Sequence, residues 1–141
     1  LFTKAIIEGR PIDVFNHGKM IRDFTYIDDI AEGVVRTLDR NATADPDYDA
    51  GCGDPGRSNA PYRVFNIGNH DPVPLMDFIE AIEQAVGKPA TKNFMPMQDG
   101  DVPATSANVD ELAEWTGFRP SMPVTEGVAR FVTWYRDYFK V

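Results

Sequence analysis

The chain has 141 residues, enough for one domain with a modest core, and its 43% hydrophobic and 26% charged content excludes a disordered or fibrous chain. A net charge of -8 excludes a non-specific nucleic-acid binder, which needs a basic face, and no apolar run approaches the roughly 20 residues of a membrane span. The single cysteine, Cys52, excludes an internal disulfide and fits a reducing compartment, so a cytoplasmic protein is expected.

Residues 1–9 read as a helix ending at Arg10-Pro11, since the residue before proline leaves the helical region. Leu1 is not a methionine, and the helix reads as already under way, so a piece of a longer protein is expected. Ile12 to Phe15 is a short extended run, Asn16 to Lys19 a turn, and Met20 to Phe24 extended again, which predicts a β-hairpin. Ile27, Ile30, Ala31, Val34, Val35 and Leu38 form one apolar stripe at helical spacing, with Asp28 or Asp29 able to cap its start.

No apolar period survives from Asn41 to Tyr62, so 41–62 is expected to be a long loop. Arg63 to Ile67 reads as a strand closed by Gly68-Asn69. A helix follows Pro74, with Leu75, Phe78, Ile79, Ile82 and Val86 inward and Gly87 as its stop. Phe94 to Met97 is extended and leads into a loop at Gln98 to Pro103. Asn108 and Glu111 form a capping-box-like pair before a short helix ended by Gly117, and the last helix follows Pro123. Trp115 and Trp134 fall on apolar helix faces and are expected in the core. The order predicts a mixed α/β fold, a small mixed sheet with flanking helices.

Gly51-Cys52-Gly53-Asp54-Pro55-Gly56 matches the dinucleotide fingerprint G-x-G-x-x-G in letters only. That fingerprint works when a strand delivers the first glycine and a helix opens beneath the phosphates. Here Asp45 to Ala50 precedes it and Ser58 to Pro61 follows, and the local acidic residues would repel a pyrophosphate. A plain loop is expected. With two histidines and one cysteine, no metal site is indicated, and His17 and His70 read as turn residues.

Several segments together resemble the nucleotide-sugar epimerases of the extended short-chain dehydrogenase/reductase family, most closely the UDP-glucuronate 4-epimerase branch. Ile12 to Ile30, IDVFNHGKMIRDFTYIDDI, is similar to the family's R-D-F/Y-x-Y/H-V-x-D region. Tyr62 to Gly68, YRVFNIG, resembles its Y-N-x-G segment, and Met97 to Asn108, MQDGDVPATSAN, its R/Q-x-G-D loop. Leu112 to Pro120 with Gly127 to Tyr135 resembles its closing segment. The matches run in family order over nearly the whole chain. The resemblance implies that 1–141 is the C-terminal, nucleotide-sugar-binding part of such a Rossmann-type enzyme, whose other half binds NAD.

On that resemblance Arg22 would meet the substrate diphosphate, where a forked, permanently charged donor suits phosphate oxygens. Without the motif, Arg22 would read as a surface arginine paired with Asp23 or Asp28. Asp13, Val14 and Phe15 would lie along the uracil and ribose, although Val14 or Phe15 could equally be core by strand alternation. In the loop Gln98, Asp99, Gly100 and Asp101, the Asp101 carboxylate would take the ribose hydroxyls, and Gly100 would let the backbone come close. Gln98 stands where relatives often carry a second phosphate-binding arginine, so Arg22 would bear more of the charge, or Arg10 or Arg63 would help.

The family reaction runs through a transient 4-keto sugar and needs a Tyr-x-x-x-Lys pair. No tyrosine here has lysine four residues on, so no catalytic residue and no cofactor-binding residue is expected in this chain. The chain alone is expected to be inactive. A dehydratase, decarboxylase or reductase of the same family, or a non-enzymatic nucleotide-binding module, are the competing readings. For the longer protein the resemblance implies a homodimer serving polysaccharide biosynthesis. It also implies that the 27–38 helix and the 62–68 segment pack against the cofactor half, leaving apolar surface bare without it.

Overall fold

The computed structural model describes residues 1–51 and 53–141. Its elements, in chain order, are α1 (Phe2–Glu8), β1 (Ile12–Val14), a 3-10 turn (Phe15–Gly18), β2 (Ile21–Asp23), α2 (Ile27–Leu38), β3 (Pro72–Pro74), α3 (Leu75–Val86), β4 (Lys92–Phe94), α4 (Asp110–Thr116) and α5 (Val124–Phe139). The fold is mixed α/β.

The helices stand where apolar periodicity places them. The core gathers Ala5 and Ile6 of α1, Ile12 and Val14 of β1, Ile79, Ala81, Ile82 and Val86 of α3, and Val128 and Val132 of α5. Three of these helices carry one apolar stripe each, and burying those stripes together is what holds the α1–α3–α5 layer over β1. Gly9, Gly87 and Gly117 end α1, α3 and α4 in the left-handed conformation. At the end of α3 the Glu83 carboxylate accepts the Ala90 N–H at 2.6 Å and the Lys92 ammonium at 2.5 Å, tying the helix to the start of β4. The Lys92 contact, ahead of the other causes, holds the Glu83 carboxyl below the ordinary glutamate range.

The expected hairpin does not form. β1 pairs in parallel with β4, Asp13 opposite Asn93, while β2 pairs antiparallel with β3, Arg22 opposite Val73. Asn16 and His17 both take positive φ in the intervening 3-10 turn, which redirects the chain instead of folding it back. The sheet is therefore two separate two-stranded pieces. The run Arg63 to Ile67 is not a strand either. Arg63 makes one isolated bridge with Arg57, and Val64 donates to the Gly56 carbonyl at 2.9 Å. Its apolar residues pack sideways instead: Ile67 lies against Gly33 of α2, and the Phe65 ring lies 5.8 Å from that of Trp115.

Three local expectations are also corrected. Neither Asp28 nor Asp29 caps α2. Asp29 instead accepts the N–H groups of Ser121 and Met122 at 3.0 and 2.9 Å, fastening the entry to α5. Asn108 does accept the Asp110 N–H at 3.0 Å, but Glu111 turns outward to Arg57, so no reciprocal box forms. Trp134 is 52% exposed and lies outside the core, and Trp115 is half-buried beneath the Arg40 guanidinium, 3.9 Å from its ring centre. Between 41 and 62 the described residues form no helix and no ladder strand, as the lack of periodicity implies.

Candidate nucleotide-binding site

Arg22 occupies the middle of β2, and the segment after β4 runs alongside it. Ile21 donates its N–H to the Pro103 carbonyl at 2.9 Å and accepts the Thr105 N–H at 3.2 Å, with a parallel bridge to Ala104. Upstream of that stitch the chain turns at Gln98–Asp101. The Asp101 N–H reaches the Gln98 carbonyl at 3.2 Å, and Gly100 sits at φ +82°, where a side chain would be strained.

The result is a direct contact between residues 79 positions apart. The Arg22 Nη2 donates to Asp101 Oδ1 at 2.8 Å, with the two side chains 24% and 33% exposed. Arg22 Nη1 donates to the Ile21 carbonyl at 2.9 Å, and Asp101 Oδ1 also accepts the Val102 N–H at 2.8 Å. Each partner is thus held from its own backbone and meets the other at a half-exposed surface. Arg22 pairs with neither Asp23 nor Asp28, the neighbours that sequence proximity offers. Asp28 lies 4.0 Å from Arg130 instead.

Asp13, Val14 and Phe15 sit along the other end of the same segment. Asp13 is exposed and accepts from the Asn93 amide at 2.8 Å, and Val14 accepts the Met95 N–H at 2.9 Å through its carbonyl. The Val14 side chain is fully enclosed and is core, so only its backbone can face a ligand. Phe15 is half-buried and opens the 3-10 turn. The link between Asp13–Phe15 and the Arg22–Asp101 pair is the continuous run from β4 to Ala104. Gln98, Asp99 and Gly100 are exposed at its turn.

The two proposed helper arginines are engaged elsewhere. Arg10 is bound to Glu8 at 2.7 Å, and Arg63 lies 3.6 Å from Asp45 and 5.7 Å from the Trp115 ring centre. Arg63, Arg57, Phe65, Glu111, Glu114 and Trp115 line a hollow of about 270 Å³. The Glu111 carboxylate, bonded to Arg57, raises the already high Arg57 pKa. This guanidinium cluster is answered by its own carboxylates.

One residue that the motif contains but residue-type reasoning passed over is Asp23. Neighbouring strand positions point to opposite faces, so Asp23 turns away from Asp101. Its Oδ2 accepts the His70 N–H at 3.1 Å and the Ala107 N–H at 3.2 Å. His70, in a bend with φ +55°, also places its Nδ1 2.9 Å from the Ala107 carbonyl. Asp23 therefore clamps 68–70 and 105–107 to β2 and fixes the register that brings Asp101 to Arg22. The signal available in sequence was the adjacent acid on an extended run.

The described residues offer no dinucleotide cradle. Gly51 to Gly56 is delivered by a turn and runs into the Arg57 bridge, with Asp49 and Asp54 turned onto its own backbone N–H groups; Cys52 itself lies outside the described residues. Among the described residues there is also no cluster able to hold a metal ion, and no helix is long and apolar enough to cross a membrane.

Comparison with known proteins adds the following. Residues 1–68 match the model of the NAD dependent epimerase/dehydratase family. Protein CapI of Staphylococcus aureus is 51% identical over 139 residues, covering 99% of this chain and 42% of that protein. A probable UDP-glucuronate 4-epimerase of Rhizobium meliloti (strain 1021) is 49% identical over 144 residues, covering 99% and 41%. The crystal structure of UDP-glucuronic acid 4-epimerase from Bacillus cereus in complex with NAD superposes with a TM-score of 0.74 at 27% identity, covering 99% of this chain and 38% of that one. The chain spans about two fifths of the length of these relatives.

Proposed function

We propose that this chain, whose residues 1–68 match the model of the NAD dependent epimerase/dehydratase family, is part of such an enzyme and binds the UDP moiety of a UDP-sugar on behalf of a longer UDP-glucuronate 4-epimerase. The observation that carries this reading is the contact between Arg22 and Asp101. A guanidinium and a carboxylate arrive from separate segments at one half-exposed place, beside a strand end that offers backbone groups. The relatives named UDP-glucuronate 4-epimerase support the choice of sugar and reaction, the interconversion of UDP-glucuronate and UDP-galacturonate.

In this reading the Arg22 fork takes diphosphate oxygens and Asp101 takes the two ribose hydroxyls. The half-exposed pair between them is worth only about 0–1 kcal/mol, so a ligand separates it at little cost. Asp13 and the backbone of Val14 lie along the uracil, with the Phe15 ring beside the nucleoside and the Gln98–Gly100 turn over the phosphates. NAD and the proton-transfer residues belong to the rest of the longer protein, because the described residues here do not fit a dinucleotide and no Tyr-x-x-x-Lys pair is present. A homodimeric, cytoplasmic protein supplying UDP-galacturonate to polysaccharide synthesis is the setting we propose for it.

The test is titration of the chain with UDP by isothermal calorimetry, comparing the parent sequence with Arg22→Ala. Binding weakened at least about tenfold in Arg22→Ala, with unchanged circular dichroism, supports the assignment. Equal UDP affinity in the two proteins removes it.

A further inference from the structure

The nucleotide reading leaves a charge unanswered. A sugar nucleotide carries a negative charge on each phosphate of its diphosphate, and Arg22, already shared with Asp101, is alone in meeting them. Gln98 supplies no charge, and Arg10 and Arg63 are paired with Glu8 and Asp45. The other lysines and arginines are likewise engaged within the chain, with one exception. Among the described residues Lys19 is the one cationic side chain with neither an ion pair nor a hydrogen bond.

Its backbone is fixed on both sides. The Lys19 N–H donates to the Asn16 carbonyl at 2.8 Å, and the Asn16 amide donates to the Lys19 carbonyl at 3.0 Å. Gly18 and Met20 beside it are buried while Lys19 itself is exposed, so its side chain points outward. The segment after β4 is stitched across this place twice. His17 donates its N–H to the Met95 carbonyl at 2.9 Å, and Ile21 donates to the Pro103 carbonyl at 2.9 Å. Met95 to Pro103 takes more residues than His17 to Ile21 to cover that interval, and the surplus loops out as the Gln98–Asp101 turn. Lys19 is the midpoint of the strip between the two stitches.

Arg22 stands three residues further on, at most about 10 Å away along an extended chain. A flexible four-carbon stem lets the Lys19 ammonium swing toward the space between them. Two cations so spaced can bracket a diphosphate lying beside the Gln98–Asp101 turn. We infer that Lys19 is a second diphosphate-binding residue, supplying the positive charge that Gln98 cannot. This rests on the nucleotide reading of Arg22 and Asp101 and adds a residue to it. The ammonium is a point charge in contact with solvent, so it acts by attraction more than by shape and is screened by salt.

The test is calorimetric titration of the 141-residue chain with UDP and with uridine, in the parent sequence, Lys19→Met and Lys19→Arg. Lys19→Met keeps an apolar stem of similar length and removes the charge. It is expected to weaken UDP binding roughly three- to tenfold at about 50 mM salt, with a smaller loss at about 300 mM. Uridine affinity is expected to stay unchanged, and Lys19→Arg to bind UDP as the parent does. Arg22→Ala, run beside them, separates two failures. If Arg22→Ala weakens UDP binding and Lys19→Met does not, Lys19 is a solvated surface residue and this inference alone falls. If neither substitution alters UDP binding, or the parent binds no UDP, the nucleotide reading falls with it. An equal loss of uridine and UDP affinity in Lys19→Met also overturns the inference, because the stem and not the charge would then be at work.

Discussion

At the scale of single residues, the Arg22–Asp101 contact makes a prediction that charge counting alone would miss. In the free chain Asp101 competes with any phosphate for the same guanidinium. Asp101→Asn removes that competition and is expected to strengthen binding of inorganic pyrophosphate a few-fold. The same substitution weakens UDP binding, because the ribose loses its carboxylate acceptor. Parallel titrations with the two ligands check the opposite signs, and a loss of both affinities would show that Asp101 acts only by holding Arg22 in place. Glu83 gives a second residue-level expectation. Its folded pKa is depressed, so its contribution to stability is complete above the ordinary glutamate value of about 4.3 and is lost as pH falls through the lower folded value. Glu83→Gln is expected to cost about 1 kcal/mol at pH 7, and that gap should shrink toward pH 3 in urea titrations. The Arg22–Asp101 pair and Glu83 differ in how readable they were. Arg22 and Asp101 were legible because they sit in recognisable words of sequence. Glu83, paired with a lysine nine residues on across a helix end, carries no such mark.

At the scale of elements, α1, α2, α3, α4 and α5 follow from apolar spacing and from glycine or proline punctuation, which are local properties. The strands do not. A three-residue strand has too few side chains to state its partner, and the Asn16–His17 turn resembles a hairpin turn in composition while its backbone redirects the chain. Gly18 marks the place where this matters. It takes φ +81°, and a Cβ there would come within 2.7 Å of the Met76 sulfur on α3. Gly18→Ala is therefore expected to lower stability by about 1–3 kcal/mol, from backbone strain together with displacement of Met76. Thermal unfolding measures it, and an unchanged midpoint would mean that the turn is not under this constraint. The Arg63 to Ile67 run shows the converse error. Its alternation is real, but what it alternates against is the Trp115 and Gly33 surfaces rather than a neighbouring strand.

At the scale of the whole molecule, apolar surface is divided between a buried layer and a bare one. α2 exposes Ile27, Val34, Val35 and Leu38, the stripe whose spacing announced the helix. A groove of about 580 Å³ runs nearby, lined by residues that include Phe2, Phe24, Tyr26, Phe78, Met122 and Phe131. Periodicity reveals that a face is apolar but not whether anything inside the same chain covers it. The isolated chain is accordingly expected to bind a hydrophobic dye such as ANS strongly and to be prone to self-association. Weak dye fluorescence at neutral pH would contradict this. With NAD and UDP-glucuronate supplied, the chain alone is expected to give no UDP-galacturonate, as followed by chromatography of the products. Turnover would mean that acid–base groups outside the family's tyrosine–lysine pair are at work.

The parallel registry of Asp13 with Asn93 has a kinetic consequence. Two edges 80 positions apart must find one another before β1 and β4 are joined, and closing so long a stretch of chain is slow compared with winding any of the five helices. Helical signal in a stopped-flow refolding experiment should thus appear well before UDP-binding competence, with an interval in which the protein is largely wound yet β1 and β4 are unpaired.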